Sequence, residues 1–377
     1  MERSSQYRIR QHWLALSVAL ALLGSIVAYN LISMRQRIIS QEQQRLTVQA
    51  RVIDKNIERQ LEATSLALEG IIKDLPTLDP VQANKRLSVL ADAMPGIHTL
   101  FFTDATGTIL AANQPALIGK NMAASQFFAE PRQHHNPDTL YISPPFKLAT
   151  NGYVFNLTKT IPRPDGRFNG IVTAGVDPDY FETILESTRY APDMCNSINH
   201  GDGLRFMTVP YLEGQIGKNL AVPGSLFTRH RKSGKQENIY TGTTYATGEY
   251  RMAALLTLQP KELQMDKPLV ILVSRNPDAI LKSWKNETIF QGLLFLVACI
   301  GSAAGLVLLH RRQAQFEKQA QRAEAMVQIR YELLEYATMH TVDELLQYAL
   351  DKVCQISNSP IGFYHFVDPD QQTLTLQ

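Results

Sequence analysis

The sequence predicts an α+β protein: two tandem antiparallel sheets on one long N-terminal helix, set between two apolar helices and followed by a helical linker. Three observations carry this. Trp13–Met34 and Ile289–Leu309 contain no charged residue. From Arg35 to Leu75 the apolar residues Leu46, Ile53, Ile57, Leu61, Leu68, Ile72 and Leu75 recur near the helical period. From His98 to Asn276, short runs rich in β-branched and aromatic residues are separated by turns bearing glycine, proline and asparagine.

Each element follows from its residues. Residues 1–12 form a polar N-terminus. At ~1.5 Å per residue a helix over 13–34 is roughly 33 Å long, enough for a hydrocarbon core of ~30 Å. The segment is too long for a signal-peptide core and lacks a small-x-small cleavage site, so it reads as a first span. Residues 289–309 form a second span, abutted by His310-Arg311-Arg312, which a buried core helix would not carry. Trp13, Tyr29 and Trp284 fall in or near the interfacial zones. Two spans place both termini on one side. Flanking charge does not orient them: Arg3, Arg8, Arg10, Arg311, Arg312, Lys318 and Arg322 are balanced by Arg35, Arg37, Arg45, Arg275, Lys282 and Lys285.

Residues 35–288 form the unit between the spans. The long helix covers 35–75 and is punctuated by Pro76 and Pro80; a second helix, Val81–Ala93, ends at Pro95-Gly96. HTLFFTDATGTILAAN reads as a hairpin turning at Asp104–Gly107, and LIGKNMAASQFFAE as a short helical connection. LYISPPF, GYVFNLTKTIP and RFNGIVTAGVD are three further strands, with turns at Asn136–Asp138, Asn151-Gly152 and Pro164–Gly166. This order describes a PAS-like sheet over 81–188. A second one, over 189–286, begins with MCNSINHGDGLRFMTV and ends with QENIYTGTTY, EYRMAALLTL and LVILVSRN. Ile118-Gly119-Lys120-Asn121 recurs as Ile216-Gly217-Lys218-Asn219, the mark of an internal repeat. Residues 310–330 read as a linker helix with a coiled-coil-like seam through Phe316, Ala320, Ala323 and Val327. After it come a helix and a closing hairpin around Asp368–Asp370. A lone hairpin is not a stable sheet, so residues 331–377 are expected to be the first part of a domain, and the sequence a fragment.

Composition and motifs narrow the function. The chain has 377 residues and a formal net charge of +2, room for two or three domains and no case for a nucleic-acid partner. Cys195, Cys299 and Cys354 offer no disulfide framework. There is no C-x-x-C, H-E-x-x-H, P-loop or G-x-S-x-G, so no metal site, cofactor or catalytic group is expected. His340 lacks the H-[DE]-x-x-x-P surroundings of a phosphorylated histidine and reads as a polar helix-break residue.

YISPPF, NLTKTIPRPDGRFNGIVTAGVDPDYF and RMAALLTLQPKELQMDKPLVILVSRNPDAI, followed by Trp284, together resemble the double Cache (PDC) sensor domains. These precede histidine kinases, diguanylate cyclases and chemoreceptors in bacteria. The resemblance covers 35–286. It implies two PAS-like subdomains, the distal one first, on the periplasmic face of the inner membrane, with both termini cytoplasmic. It also implies a small-molecule ligand, often a carboxylate or amino acid, in the membrane-distal sheet. From Tyr331 the chain looks like the opening of a GAF domain, a cytoplasmic module. In the family an arginine precedes an aromatic pair in the pocket helix. Here Phe127 and Phe128 supply the pair, but Ala124-Ser125-Gln126 supplies no arginine. Asp177 matches the strand-end aspartate of amino-acid binders. Without the arginine, no bidentate clamp for an α-carboxylate is present.

The ligand-contact candidates are Tyr141, Phe146, Phe155, Asn156, Thr158, Asp177, Phe127 and Phe128. Alternation puts Asn156 and Thr158 on one face of a strand, where polar groups suit a small polar ligand or, equally, solvent. Asp177 before Pro178 suits a helix N-cap as well as a ligand, and Asp179 the helix's first turn. His134-His135 beside Arg132 reads as a surface loop in preference to an anion or metal site. Arg251 is expected to have a structural partner. The expected function is the input region of a two-span receptor. The bilayer and a second copy of the chain, paired along the long helices, are the further partners. The competing reading is a membrane-anchored extracytoplasmic binding protein or enzyme.

Overall fold

The computed structural model describes residues 2–147, 153–357, 359–367 and 374–376. The expected turns at Asn151-Gly152 and Asp368–Asp370 lie outside them. The chain divides into two compact units, Tyr29–Thr288 and Met1–Ala28 with Ile289–Gln377.

Helix α1 (Glu2–Asp74) is continuous. Its buried face in the Tyr29–Thr288 unit is Leu46, Ala50, Ile53, Ile57, Leu61, Leu68 and Ile71; of the expected stripe, Ile72 and Leu75 are only partly buried. Helix α2 (Pro80–Ala93) begins with a capping box: the Asp79 carboxylate accepts the Gln82 N–H at 2.8 Å, and Pro80 occupies the first turn where no N–H is needed. Strands β1 (Ile97–Thr103) and β2 (Ile109–Ala112) form the first hairpin. The stretch expected to be a short helical connection is α-helical only as α3 (Gln126–Gln133). Before it the chain turns at Gly119, at φ +82°, and is bridged to the hairpin between Thr108 and Asn121. Strands β3 (Tyr141–Ile142) and β4 (Phe146–Lys147) are separated by Pro144-Pro145, which donate no hydrogen bonds. Strands β5 (Tyr153–Pro162) and β6 (Phe168–Val176) complete an antiparallel sheet of order β2-β1-β6-β5-β3, with β4 also on β5. A 3-10 turn (Pro178–Phe181) and α4 (Glu182–Ser187) lead out of it.

The second sheet repeats the plan. Strands β7 (Cys195–His200) and β8 (Arg205–Val209) are followed by α5 (Leu226–Ser233), and then by β9 (Glu237–Thr243), β10 (Tyr250–Leu258) and β11 (Leu269–Arg275). The order β8-β7-β11-β10-β9 matches that of the first sheet strand for strand. The I-G-K-N repeat makes the same contacts twice. Ile109 N–H reaches Lys120 O at 2.9 Å and Gly119 N–H reaches Ile109 O at 2.9 Å; Arg205 N–H reaches Lys218 O at 3.1 Å and Gly217 N–H reaches Arg205 O at 2.8 Å. Asn121 and Asn219 then each accept a backbone N–H two residues on.

One apolar core joins both sheets to α1, from Leu46 and Leu61 through Leu157 and Val172 to Ile198 and Ile271. Between the sheets, Phe155 stacks on Phe206 with ring centroids 4.5 Å apart. Leu140 of the first module donates to Gln264 O at 2.7 Å, and Asp266 accepts Ile142 N–H at 2.8 Å. A charged cluster ties α1 to the end of β11: Arg275 binds Glu42 at 2.9 Å and Asp193 at 2.7 Å. Burial raises the Asp193 carboxyl, but the Arg275 and Asn276 hydrogen bonds outweigh it and hold it below the usual carboxylate range.

After the short helix α6 (Pro277–Ile280) comes α7 (Lys282–Ala337), unbroken over 56 residues. Both α1 and α7 contain stretches long and apolar enough to cross a membrane. In the Met1–Ala28 and Ile289–Gln377 unit, Phe295 packs over Gly24, and His12 stacks on His310 with centroids 5.4 Å apart. Helix α8 (Val342–Ser357) starts where Thr341 donates its N–H to Glu344 at 2.9 Å, and β12 (His365–Val367) pairs with β13 (Leu374–Leu376).

Candidate ligand-binding site

Alternation along β5 gives the first sheet two distinct faces. Phe155, Leu157, Lys159 and Ile161 point to α1: Lys159 binds Glu69 of that helix at 2.7 Å. Asn156, Thr158 and Thr160 point the other way and are buried. On that second face the Thr158 and Thr173 hydroxyls are 2.7 Å apart, and the Thr160 hydroxyl has no hydrogen-bond partner. Gly175 lies beside Asn156: a Cβ there would fall 3.3 Å from the Asn156 side-chain oxygen.

Helix α3 roofs this face. Phe127 lies edge-on to Phe101 and stacks on Phe146 at 6.0 Å. Phe127, Tyr141 and Thr158 line one cavity of about 20 Å³, room for about one water. Phe155, Phe128 and Asp177 are placed elsewhere. Phe155 lies on the α1 side, stacked on Phe206 and Phe181. Phe128 is fully buried against Phe168. The Tyr141 hydroxyl donates to His134 O and accepts Asn136 N–H at 3.0 Å; burial raises its pKa. Asp177 caps the turn that follows β6, accepting Asp179 N–H at 2.9 Å. Burial, with Asp177 and Glu182 nearby, raises the Asp179 carboxyl. His135 contacts Gly166 O at 3.2 Å and the Phe168 ring edge.

A second cavity, about 310 Å³, lies on the corresponding face of the second sheet. Helix α5 roofs it as α3 roofs the first, started by Ser225, which accepts Thr228 N–H at 3.1 Å. Phe227, Leu220 and Leu272 form apolar wall, and Arg205, Arg251 and Cys195 bring polar groups. Arg251 is held on all sides: by Ser274 Oγ at 3.0 Å, Glu249 at 2.6 Å and the Asp193 carbonyl. It has the structural partners expected of it. Arg205 is 5% exposed, and its partners are neutral and long: Asn199 Oδ1 at 3.5 Å from Nε and Gln215 Oε1 at 3.3 Å from Nη1. Among the described residues no carboxylate pairs with it. Burial lowers its pKa, with the nearby Cys195 opposing.

Arg205, Phe227 and the α5 roof are features that the sequence reading missed. The available signal was the repeat, and it was incomplete: read without gaps, I-G-K-N sets Arg205 against Gly107, and only the backbone hydrogen bonds, across a loop two residues longer in the second sheet, match it to Ile109; V-D-P-D ends β6 as R-N-P-D ends β11. The two caps agree: Asn276 accepts Asp278 N–H at 2.8 Å, as Asp177 does for Asp179. Among the described residues no three His, Cys, Asp or Glu side chains are grouped to hold a metal ion.

No protein-family profile matches the chain, and no curated protein matches it. Solved structures do. The extracellular domain of rpHK1S-Z16, described as a histidine kinase, is 22% identical, with 65% of this chain and 99% of that one covered at a TM-score of 0.57. Its likeness lies in two antiparallel sheets carried on a long N-terminal helix. This is the double Cache fold. Methyl-accepting Chemotaxis protein X shares it at 10% identity, over 63% of this chain and 98% of that one, with a TM-score of 0.51. So does the ligand-binding domain of the Pseudomonas fluorescens chemoreceptor CtaA, solved with L-isoleucine: 15% identity, 66% and 98% coverage, TM-score 0.50. In the double Cache unit of this chain, Phe127 and Phe227 hold matching stations, each two residues after a serine that opens a roof helix.

Proposed function

We propose that this chain is the sensory input region of a bacterial transmembrane receptor. The observation that carries the reading is the double Cache fold of Tyr29–Thr288, built on α1 and followed by α7, the two helices apolar enough to cross a membrane. In this reading 13–34 and 289–309 span the inner membrane, and 35–288 stand in the periplasm, with 81–188 distal and 189–286 proximal. Both termini are cytoplasmic. Residues 310–330 pass the signal to a GAF domain that begins in 331–377, and from there to a histidine kinase or diguanylate cyclase. Two copies pair along α1. A ligand acts by binding one arrangement of the sensor more tightly than the other, and can shift the balance only by that difference.

The first sheet is the primary seat, with Asn156 and Thr158 as polar contacts and Tyr141, Phe146 and Phe127 as walls; Phe155 and Phe128 support it from behind, and Asp177 holds the turn after β6. The sensor domain of CtaA was solved with an amino acid, which makes small polar metabolites the first class to try. The test is a melting-temperature screen of the chain in lipid nanodiscs against organic acids, amines and amino acids. At least one compound is expected to raise the melting temperature, and Asn156→Ala or Thr158→Val to abolish the rise. No response across the panel contradicts the reading.

A further inference from the structure

We infer that the second sheet holds a separate site for a small organic monoanion, a monocarboxylate with a short apolar body, received by Arg205. The inference shares the reading of this unit as a ligand sensor but does not depend on where the first sheet takes its ligand.

The repeat shows that the fold does not require a guanidinium here. Ile109 makes the same backbone contacts in the first sheet and is buried among Phe101, Ala112 and Phe127. An apolar residue therefore satisfies this station. A buried cation at the same station is costly unless something compensates it.

Within the unit, the other buried cations are compensated. Lys159 has Glu69 at 2.7 Å and Arg251 has Glu249 at 2.6 Å. Arg205 has only the two amide oxygens, and among the described residues its Nη2 donates to no protein acceptor. It lines a cavity whose two carboxylates are both taken, Glu249 by Arg251 and Asp193 by Arg275, so neither pairs with Arg205. The planar fork of an arginine fits a carboxylate with two parallel hydrogen bonds. The remaining walls, with Phe227, Leu212, Leu220 and Leu272, suit hydrocarbon and would strip water from a dianion without repaying it. A volume of about 310 Å³ suits a body of a few carbons.

The test is titration calorimetry and thermal melting of the chain in nanodiscs, at constant ionic strength, with empty discs subtracted. The probes are butyrate, hexanoate and benzoate, with 1-hexanol and hexylamine as neutral and cationic bodies. At least one carboxylate is expected to bind and to raise the melting temperature, and hexanol and hexylamine to bind at least tenfold more weakly. Arg205→Ile is expected to lose carboxylate binding at least tenfold while its ligand-free melting temperature stays level or rises. Arg205→Lys keeps the charge without the fork and is expected to fall between. The proposal is overturned if none of the three carboxylates binds, if hexanol binds as well as hexanoate, or if Arg205→Ile keeps its carboxylate affinity within twofold. A lowered ligand-free melting temperature in Arg205→Ile also overturns it, because the guanidinium would then be a structural brace. Should these carboxylates fail while another compound responds at Asn156 and Thr158, the sensor reading stands and this site does not.

Discussion

Ile109 and Arg205 occupy one and the same station in the two sheets: each sends its N–H to the lysine carbonyl of an I-G-K-N loop and accepts the N–H of that loop's glycine. One lies in an aromatic cluster, the other in a cavity. The backbone plan has been kept and the face has changed. In the first sheet Phe101, Phe127 and Phe146 close over the strands. In the second, Ser197 pairs with Leu272 where Phe101 pairs with Thr173, so no aromatic ring stands at that position.

The close approach of β6 to the end of β1 depends on a glycine. Gly170 has φ +142°, and a Cβ there would lie 2.0 Å from Thr103 O. Gly170→Ala is expected to cost about 2–4 kcal/mol, combining backbone strain with displacement of β1. Denaturant unfolding in detergent checks it; a loss below about 0.5 kcal/mol would show that the strands part without penalty.

Lys159 and Glu69 fasten the first sheet to α1. The lysine side chain is 3% exposed and the glutamate 38%. Glu69→Gln leaves a buried cation unmatched and is expected to cost about 2 kcal/mol, less than a pair buried on both sides because water still reaches the glutamate. Lys159→Met combined with Glu69→Gln is expected to recover at least about 1 kcal/mol of it. Additive losses in the double variant would mean the two side chains do not interact.

Asp54 makes stability depend on pH. It is buried on α1, and its Oδ1 has no partner. Burial, with Glu58 alongside and Lys55 opposing, pushes its carboxyl up to about 6. The folded state thus holds this proton more tightly than the unfolded chain, whose aspartate loses it near ~3.9. The cost is absent below the unfolded value, grows as pH rises, and is complete above about 6. Asp54→Asn is therefore expected to melt higher than the parent at pH 7.5, with the gap closing toward pH 4.5. A gap that is constant with pH would rule out titration of Asp54 as its source.

Much of this architecture could be read along the chain. Period-2 alternation in GYVFNLTKTIP separates Phe155 from Asn156, and the spacing of Leu46, Ile53, Ile57 and Leu61 gives the buried stripe of α1. Asp177 before Pro178 announced a cap, and a cap it is. What stayed hidden depended on tertiary packing. Nothing local to Arg205 says that its fork lacks a carboxylate, since Glu249, in the same cavity, is taken by Arg251. Helix α5 is short and strongly basic, TRHRKS after Leu226-Phe227, so its two apolar residues gave no periodic signal. Phe128 looked like a pocket aromatic beside Phe127, but adjacent helical positions face apart, and it packs inward on Phe168.

The central claim is that the double Cache unit stands outside the membrane as a sensor, held between two spans. Protease treatment of intact spheroplasts carrying a C-terminal epitope tests it most directly. The account predicts that residues within 35–288 are cleaved without lysis, while the segment after 310 is cut only once the membrane is broken. Full protection of 35–288 in intact spheroplasts, with cleavage on lysis, would contradict it.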